Sequence, residues 1–328
     1  MITGKLNLKL LSLLLALSAM LFLGSCDDDD DNVIPEIPTT GNTKVYDLAS
    51  VSDPSISGTA TFEELENGAA RVTLDLSGTS AGGTHPAHIH MNSAAEGGDI
   101  AVSLTPVDGA TGMSETVVDA LDNGTATNYQ QLLNYDGYIN VHLSASELGT
   151  IVAQGDIGQN ELTGTTKTYA LDSRDVDGIS GNITFAERLS GEALATIMLT
   201  GTPDGGEHPA HIHMNTAAEG GPIALSFTPV NGNTGMSVTN ISMLDDGTAF
   251  GYNDVLNYDG YVNVHLSASE LGTIVAQGDI GLNELTGEAK TYALGTKDVD
   301  GISGEITFEE RVNGDALATI MLMNTPDG

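Results

Sequence analysis

The sequence predicts an all-β protein built from tandem antiparallel β-sandwich domains. Three observations support this class: apolar and polar residues alternate in short runs, glycine and polar turns separate the runs, and one unit recurs along the chain. Alternation with a period of two is typical of a strand with one buried and one solvated face. Recurrence at a constant spacing of 123 residues indicates a duplicated domain.

Within one copy, the predicted strands follow one another with little helical periodicity. The first hairpin turns at Asn67-Gly68, a pair suited to the positive φ angles of a tight primed turn. In the strand after it, Val72, Leu74 and Leu76 alternate with polar residues. Further strands are expected over 87–91, 100–104, 138–143 and 150–156. Seven or eight short strands per copy favour a Greek-key, immunoglobulin-like sandwich, and a barrel is the alternative.

Three tyrosines, Tyr46, Tyr169 and Tyr292, open three copies of the unit. We therefore predict a first β domain over 44–164, a second over 165–287 and an incomplete third repeat over 288–328. The third copy stops before the histidine motif of the other two, so we interpret the chain as a fragment of a longer repeat protein or a truncated gene product. A partial sandwich would leave an apolar face uncovered.

The first 25 residues have the pattern of a targeting segment. Lys5 and Lys9 precede an apolar run that is too short to span a bilayer, and Leu-Gly-Ser-Cys follows at 23–26. This pattern resembles a bacterial lipoprotein signal, which implies cleavage before Cys26 and a lipid on its sulfur. An ordinary secretory signal is the alternative. Because Cys26 is the single cysteine, the domains cannot contain internal disulfides.

Residues 26–43 are predicted to form an acidic tether. Five aspartates, Asp27 to Asp31, begin it, and a proline-containing stretch that cannot bury a core follows. The acidic run resembles the surface-export signal of lipoproteins in the Bacteroidetes-like lineage; a solvated spacer is the alternative. We expect a lipid anchor in the outer membrane of the cell envelope, with surface exposure as the further implication of the export signal.

Charge excludes one class of partner. The chain has 45 acidic and 10 basic residues, a formal net charge of −35 at pH 7. Nucleic acid is not expected as a partner, because no basic stripe is present to neutralise phosphates. The same negative field would attract divalent cations and basic protein surfaces.

All eight histidines belong to one repeated constellation. The first copy has His85, His88, His90 and His142, and the second has the four equivalents His208, His211, His213 and His265. Alternation along 87–91 and 138–143 puts the apolar residues on one face and His88, His90 and His142 on the other. If these strands are neighbours, the three imidazoles can meet on the outer face.

Such a histidine cluster predicts a copper or zinc site in each complete domain, because imidazole is a common ligand of both metals. Pro86 lacks an N–H and suits the start of a strand, so His85 is expected in the preceding loop as a fourth ligand or a rim residue. The same applies to His208. The structural alternative is a polar strand face on which the histidines hydrogen-bond to Asn140, Tyr138 or backbone groups.

These motifs resemble the CHRD domain, named after chordin and found also in bacterial envelope proteins. The resemblance rests on His88-Ile-His90 followed by Gly97-Gly98, on the strand Tyr138 to His142, and on their equivalents in the second copy. The arginine-containing stretch typical of the family is replaced here by 148–155, which has no arginine. The resemblance implies an extracellular binding or interaction module, with an unidentified protein or glycan as partner.

Segment 83–90, Gly-Thr-His-Pro-Ala-His-Ile-His, is also similar to a segment of Cu/Zn superoxide dismutase. This similarity implies a copper-dependent redox enzyme as an alternative function, although the chain has neither a bridging histidine nor a cysteine pair. A structural stalk without a ligand is a third possibility. No catalytic motif beyond the histidines and no phosphate-binding loop occurs, so no catalytic residue and no organic cofactor are predicted.

The acidic segment Asp172, Asp175 and Asp177 places carboxylates at spacings similar to those of calcium-binding loops. The distal glutamate of an EF-hand is missing, and the first copy lacks the equivalent carboxylates. We therefore predict an acidic turn at this position.

Overall fold

The computed structural model describes residues 36–326. The predicted signal segment, the predicted lipidation site Cys26 and most of the predicted tether lie outside this range. The described residues from Thr39 onward form one compact unit that contains all the strands described below. Within the described residues, no helix is both long and apolar enough to cross a membrane.

The first domain is a closed antiparallel barrel of eight strands, ordered β1-β2-β3-β6-β5-β4-β7-β8. Its elements are β1 (Thr39–Ser50), β2 (Ser57–Leu65), β3 (Ala70–Ser77), β4 (Thr84–Met91), β5 (Ile100–Asp108), β6 (Met113–Val118), α1 (Tyr129–Leu132), β7 (Asp136–His142) and β8 (Ile151–Gly158). The all-β antiparallel class is confirmed, and closure makes the first domain the barrel that the sequence left as the alternative.

The second domain repeats this arrangement with an interrupted seam. Its elements are β9 (Leu162–Ser173), β10 (Ser180–Arg188), β11 (Ala193–Thr200), β12 (Glu207–His208), β13 (Ala210–Met214), β14 (Ile223–Ser226), β15 (Val230–Asn231), β16 (Met236–Ile241), α2 (Tyr252–Leu256), β17 (Asp259–His265) and β18 (Ile274–Gly281). The ten strands form one sheet, ordered β12-β15-β16-β11-β10-β9-β18-β17-β13-β14. A break at Pro209 divides the equivalent of β4 into β12 and β13, and a break at 227–229 divides the equivalent of β5 into β14 and β15. The ends of the sheet are therefore β12 and β14, which lie close together along the chain.

The third repeat is a three-stranded sheet of β19 (Leu285–Leu294), β20 (Ser303–Arg311) and β21 (Ala316–Met323). As expected for a partial copy, its apolar face is uncovered. Tyr292 is 53% exposed, whereas the equivalent Tyr169 of the second domain is 4% exposed.

Alternation along the strands builds one core in each complete domain. Val72, Leu74 and Leu76 of β3 all lie in the first core. Tyr46 packs edge-on against Phe62 with ring centroids 5.3 Å apart. Burial raises the pKa of Tyr46 to about 12, because the low-dielectric interior disfavours the phenolate.

The structure corrects the predicted turn of the first hairpin. Gly68 has a φ of +84°, but Asn67 is not among the residues with positive φ. The amide of Gly68 donates to the carbonyl of Leu65, and the amide of Leu65 donates to the carbonyl of Ala69. The loop is therefore a type I turn followed by a left-handed glycine, which gives the right-handed twist that a primed turn would also give.

Other differences concern boundaries and short elements. β1 begins at Thr39, within the segment assigned to the tether, and a register shift around Gly41 admits the extra residues. The predicted domain boundaries at 164 and 287 lie inside β9 and β19. The single-turn helix α1 was not predicted because four residues are too few for a helical period; Asn128 caps it by accepting from the amide of Gln131.

Candidate metal centre

The three predicted histidines of each complete domain meet on the face of its sheet that is turned away from the core. In β4, Ala87 and Ile89 enter the core, so His88 and His90 project from the other face. β7 lies beside β4, as expected, and pairs Asn140 with His88. His142 therefore comes within reach of both histidines of β4.

The spacing of the ring nitrogens in each group could accommodate a metal ion. One nitrogen each of His88, His90 and His142 lies within 4.8 Å of the other two, and the same holds for His211, His213 and His265. In the first domain, Nδ1 of His88 and Nε2 of His142 are hydrogen-bonded at 3.1 Å, with His88 as the donor because His142 carries its proton on Nδ1. The second domain reproduces the ring arrangement, with the His211 and His265 centroids 5.1 Å apart.

Backbone carbonyls orient two of the three imidazoles. Nδ1 of His90 donates to the carbonyl of Gly98 at 2.9 Å, and Nδ1 of His142 donates to that of Leu148 at 2.6 Å. A carbonyl oxygen can only accept, so Nδ1 carries the proton and Nε2 presents its lone pair to the cluster. Such outer contacts are typical of metal-binding histidines. The second domain repeats both contacts with Gly221 and Leu271.

In the second domain, all three nitrogens that face the cluster lack a hydrogen-bond partner in the protein. They are Nδ1 of His211, Nε2 of His213 and Nε2 of His265, and each is buried. An unpaired buried polar atom costs about 1–3 kcal/mol. Three converging nitrogens without partners, two of them held as acceptors by the carbonyl contacts of their rings, therefore indicate a place for a cation.

The fold disfavours the imidazolium form of four cluster histidines, namely His88, His142, His211 and His265. Burial lowers the pKa of His88, and the neighbouring His142 and His90 lower it further. Burial also lowers the pKa of His142. In the second domain, burial and the two neighbouring histidines lower the pKa of His211 to about 4. Since only neutral imidazole binds a metal, the site is competent at neutral pH.

The remaining predicted ligands, His85 and His208, are not in these groups of three. Both side chains are buried. Nδ1 of His85 donates to the backbone carbonyl of His142 at 3.2 Å, so His85 contacts the strand that carries a cluster member. A Cβ atom added at Gly83 would lie 3.0 Å from Nε2 of His85.

Two loops supply the orienting carbonyls: the 92–99 loop between β4 and β5, and the 143–150 loop between β7 and β8. In the first loop, Asn92 adopts a left-handed φ of +63°, and its side-chain amide donates to the carbonyl of Gly97. Tyr138 stacks on His90, with centroids 4.9 Å apart, and its hydroxyl accepts from the amide of Gly98. The loop and the imidazole are thus held in one arrangement.

Sequence reasoning named Gly98 only as part of a motif and assigned no contact to it. It missed the supporting roles of Leu148, of Asp156, which accepts from the amide of Ala94, and of Asn160, which donates to the carbonyl of Asn92. Each has an identical equivalent 123 residues later. That identity is a usable signal, but it is shared by many core positions and does not specify a contact.

The predicted acidic turn contacts the start of β18: a carboxylate oxygen of Asp175 accepts from the amide of Ile274 at 2.8 Å.

Comparisons with known proteins agree with the sequence motifs. Residues 37–154 match the family model of the CHRD domain, which indicates a binding or interaction domain. No match is found among curated proteins. A solved structure described as "Biofilm associated protein - BSP domain" matches at 12% identity with a TM-score of 0.14, covering 88% of this chain and 60% of that one. The chain thus spans about 60% of that structure's length, and the likeness is too low to assign a common fold.

Proposed function

We propose, starting from the match of residues 37–154 to the CHRD family model, that the protein is a binding module that holds one transition-metal ion in each complete domain. The ligands are His88, His90 and His142 in the first domain and His211, His213 and His265 in the second. Three imidazoles leave further coordination positions for water or another ligand.

The observation that carries this proposal is the set of three unpartnered, buried nitrogens in the second domain. Polar strand faces ordinarily satisfy their side chains with solvent or with each other. Here the outer nitrogens of two imidazoles are occupied by carbonyls, so the inner nitrogens can only accept. A cation satisfies all three at once.

The donor chemistry favours copper or zinc. Imidazole nitrogen suits both metals, whereas calcium and magnesium prefer oxygen ligands. The neutral ligand set leaves the charge of the ion uncompensated within the cluster. The strongly acidic chain supplies long-range attraction for it.

Metal analysis of the full chain without a polyhistidine tag tests the proposal. After exposure to copper or zinc and dialysis, we expect about two ions per chain. The double variant His88→Ala/His142→Ala should retain one ion, and adding His211→Ala/His265→Ala should remove both. Asp175→Asn is the matched control for surface carboxylates and should retain two. Retention that does not follow the histidines would refute the proposal.

We also propose that the chain is anchored to the outer membrane through a lipid on Cys26. The support is the basic, apolar and Leu-Gly-Ser-Cys order of residues 1–26, which lie outside the described part of the chain. Mass spectrometry of the protein from bacterial membranes should show a chain that begins at a lipid-modified Cys26. Cys26→Ser should release the protein into the soluble fraction; continued membrane association of that variant would count against lipid anchoring.

A further inference from the structure

A buried arginine crosses each boundary between repeats. Arg188 ends β10 of the second domain, and its side chain is 0% exposed. Its Nη1 donates to Oδ2 of Asp156 at 2.8 Å and to the backbone carbonyl of Asn160, both in the chain segment that ends the first domain. Its Nε donates to Asn240 within its own domain. The guanidinium therefore joins two domains by charge-assisted bonds.

The residues that receive Arg188 also hold the loop of the first histidine cluster. Oδ1 of Asp156 accepts from the amide of Ala94 at 2.8 Å, and Nδ2 of Asn160 donates to the carbonyl of Asn92 at 3.0 Å. Both contacts lie in the 92–99 loop, whose Gly98 carbonyl orients His90. A chain of direct contacts thus runs from an arginine of the second domain to a histidine of the first.

The next boundary repeats the connection. Arg311 of the third repeat donates to Oδ2 of Asp279 at 2.7 Å and to the carbonyl of Asn283 at 2.5 Å. Asp279 accepts from the amide of Ala217, and Asn283 donates to the carbonyl of Asn215. These contacts hold the 215–222 loop, whose Gly221 carbonyl orients His213.

The first repeat shows that the hairpin itself does not require arginine. The position equivalent to Arg188 and Arg311 is Leu65, which is buried in the first domain. Among the described residues, no domain with a histidine cluster precedes Leu65. Arginine occurs at the two positions that have a histidine cluster before them.

We propose that Arg188 and Arg311 are positioning residues, each completing the histidine site of the domain that precedes it. The inference rests on the proposed metal binding. Removing Arg188 leaves the carboxylate of Asp156, which is 18% exposed, without its cationic partner. The 92–99 loop then loses part of its support, and His90 is oriented less firmly.

Titration of the full chain with copper(II) tests the proposal, with Arg188→Leu and Arg311→Leu compared. Each site is measured alone, in a chain whose other cluster is disabled by His90→Ala or His213→Ala. We expect Arg188→Leu to weaken the first site by about 10-fold or less, because loss of a group that contacts a metal ligand directly costs about 10- to 100-fold and Arg188 acts through the loop, and to leave the second site unchanged. Arg311→Leu should do the reverse, and Arg188→Lys should restore part of the affinity because it keeps the charge.

Each site serves as the control for the other. Equal weakening of both sites by one variant would overturn the proposal, because it would show a general loss of stability. Unchanged affinity of the preceding site would also overturn it. Hydrogen exchange of the metal-free chain gives a second readout: Arg188→Leu should speed exchange in 92–99 and leave 215–222 unchanged. If the unmodified chain binds no copper, the proposed function fails, and this exchange pattern alone decides whether the arginines position the loops.

Discussion

At the scale of single residues, the clusters are defined by which ring nitrogen is free. The Nδ1–H groups of His90 and His142 donate hydrogen bonds to the carbonyls of Gly98 and Leu148, so each Nε2 faces inward with its lone pair. Burial and the neighbouring rings then disfavour the imidazolium form. Protonation of these imidazoles therefore acts against both metal binding and folding.

The metal-free protein should lose stability as the pH falls below about 6.5, the ordinary histidine pKa. The pKa of His211 is lowered to about 4, so between these values the unfolded chain binds the proton more readily. Thermal unfolding at pH 7.5 and pH 5 should show a larger fall in midpoint for the unmodified protein than for His211→Gln. Both proteins contain the same carboxylates, so the difference isolates His211; equal falls would contradict the lowered pKa.

At the scale of elements, the 92–99 loop has to pass closely over the end of β4. A Cβ at Gly98 would lie 2.1 Å from the carbonyl oxygen of Met91, so a side chain cannot be accommodated without backbone movement. Gly97 has a φ of +74°, but a Cβ there meets nothing within 4 Å. The adjacent glycines therefore serve different purposes, close approach for one and a left-handed turn for the other.

Gly98→Ala should destabilise the first domain by about 1–3 kcal/mol, as forced overlap does, and weaken copper binding at its cluster. Gly97→Asn is the matched control. Asparagine tolerates the left-handed region, so this change should cost about 1 kcal/mol or less and leave copper binding intact. Denaturant unfolding and copper titration measure the two effects. Comparable losses for both variants would show that the close contact with Met91 is not the cause.

At the scale of the whole molecule, one sequence occupies two environments. Segments 193–199 and 316–322 are both Ala-Leu-Ala-Thr-Ile-Met-Leu and both form strands. Ile197 is 1% exposed because β11 faces a complete domain core, whereas Ile320 is 60% exposed on the open sheet of the third repeat. Local sequence specifies the strand in both places, and the presence of opposing strands decides the burial.

Ile197→Ala should therefore cost about 2–5 kcal/mol, the range for truncating a buried aliphatic side chain. Ile320→Ala should cost about 1 kcal/mol or less, which reflects strand preference alone. Denaturant unfolding of the two single variants gives the comparison directly. A large effect at Ile320 would show that this face is covered in solution.

Much of the fold and the cluster could be predicted from local patterns. Period-two alternation identified the strands and put His88 and His90 opposite the core, and the 123-residue spacing predicted the second cluster from the first. The prediction of a primed turn at Asn67 was wrong. An Asn-Gly pair also suits a type I turn followed by a left-handed glycine, in which Asn67 does not have a positive φ. Closure of the first barrel was left open because strand patterns do not state which strands pair.

The sequence by itself determined the repeat, the β class, the strand faces and the three histidines that share a face, because these depend on side-chain alternation between neighbours. Only the tertiary structure decided which nitrogen of His142 faces the cluster. It alone also showed that the imidazole of His85 contacts the backbone carbonyl of His142. It alone also connected Arg188 to the loop of the preceding domain. Such contacts join residues far apart in the chain, and their geometry depends on how strands and loops pack.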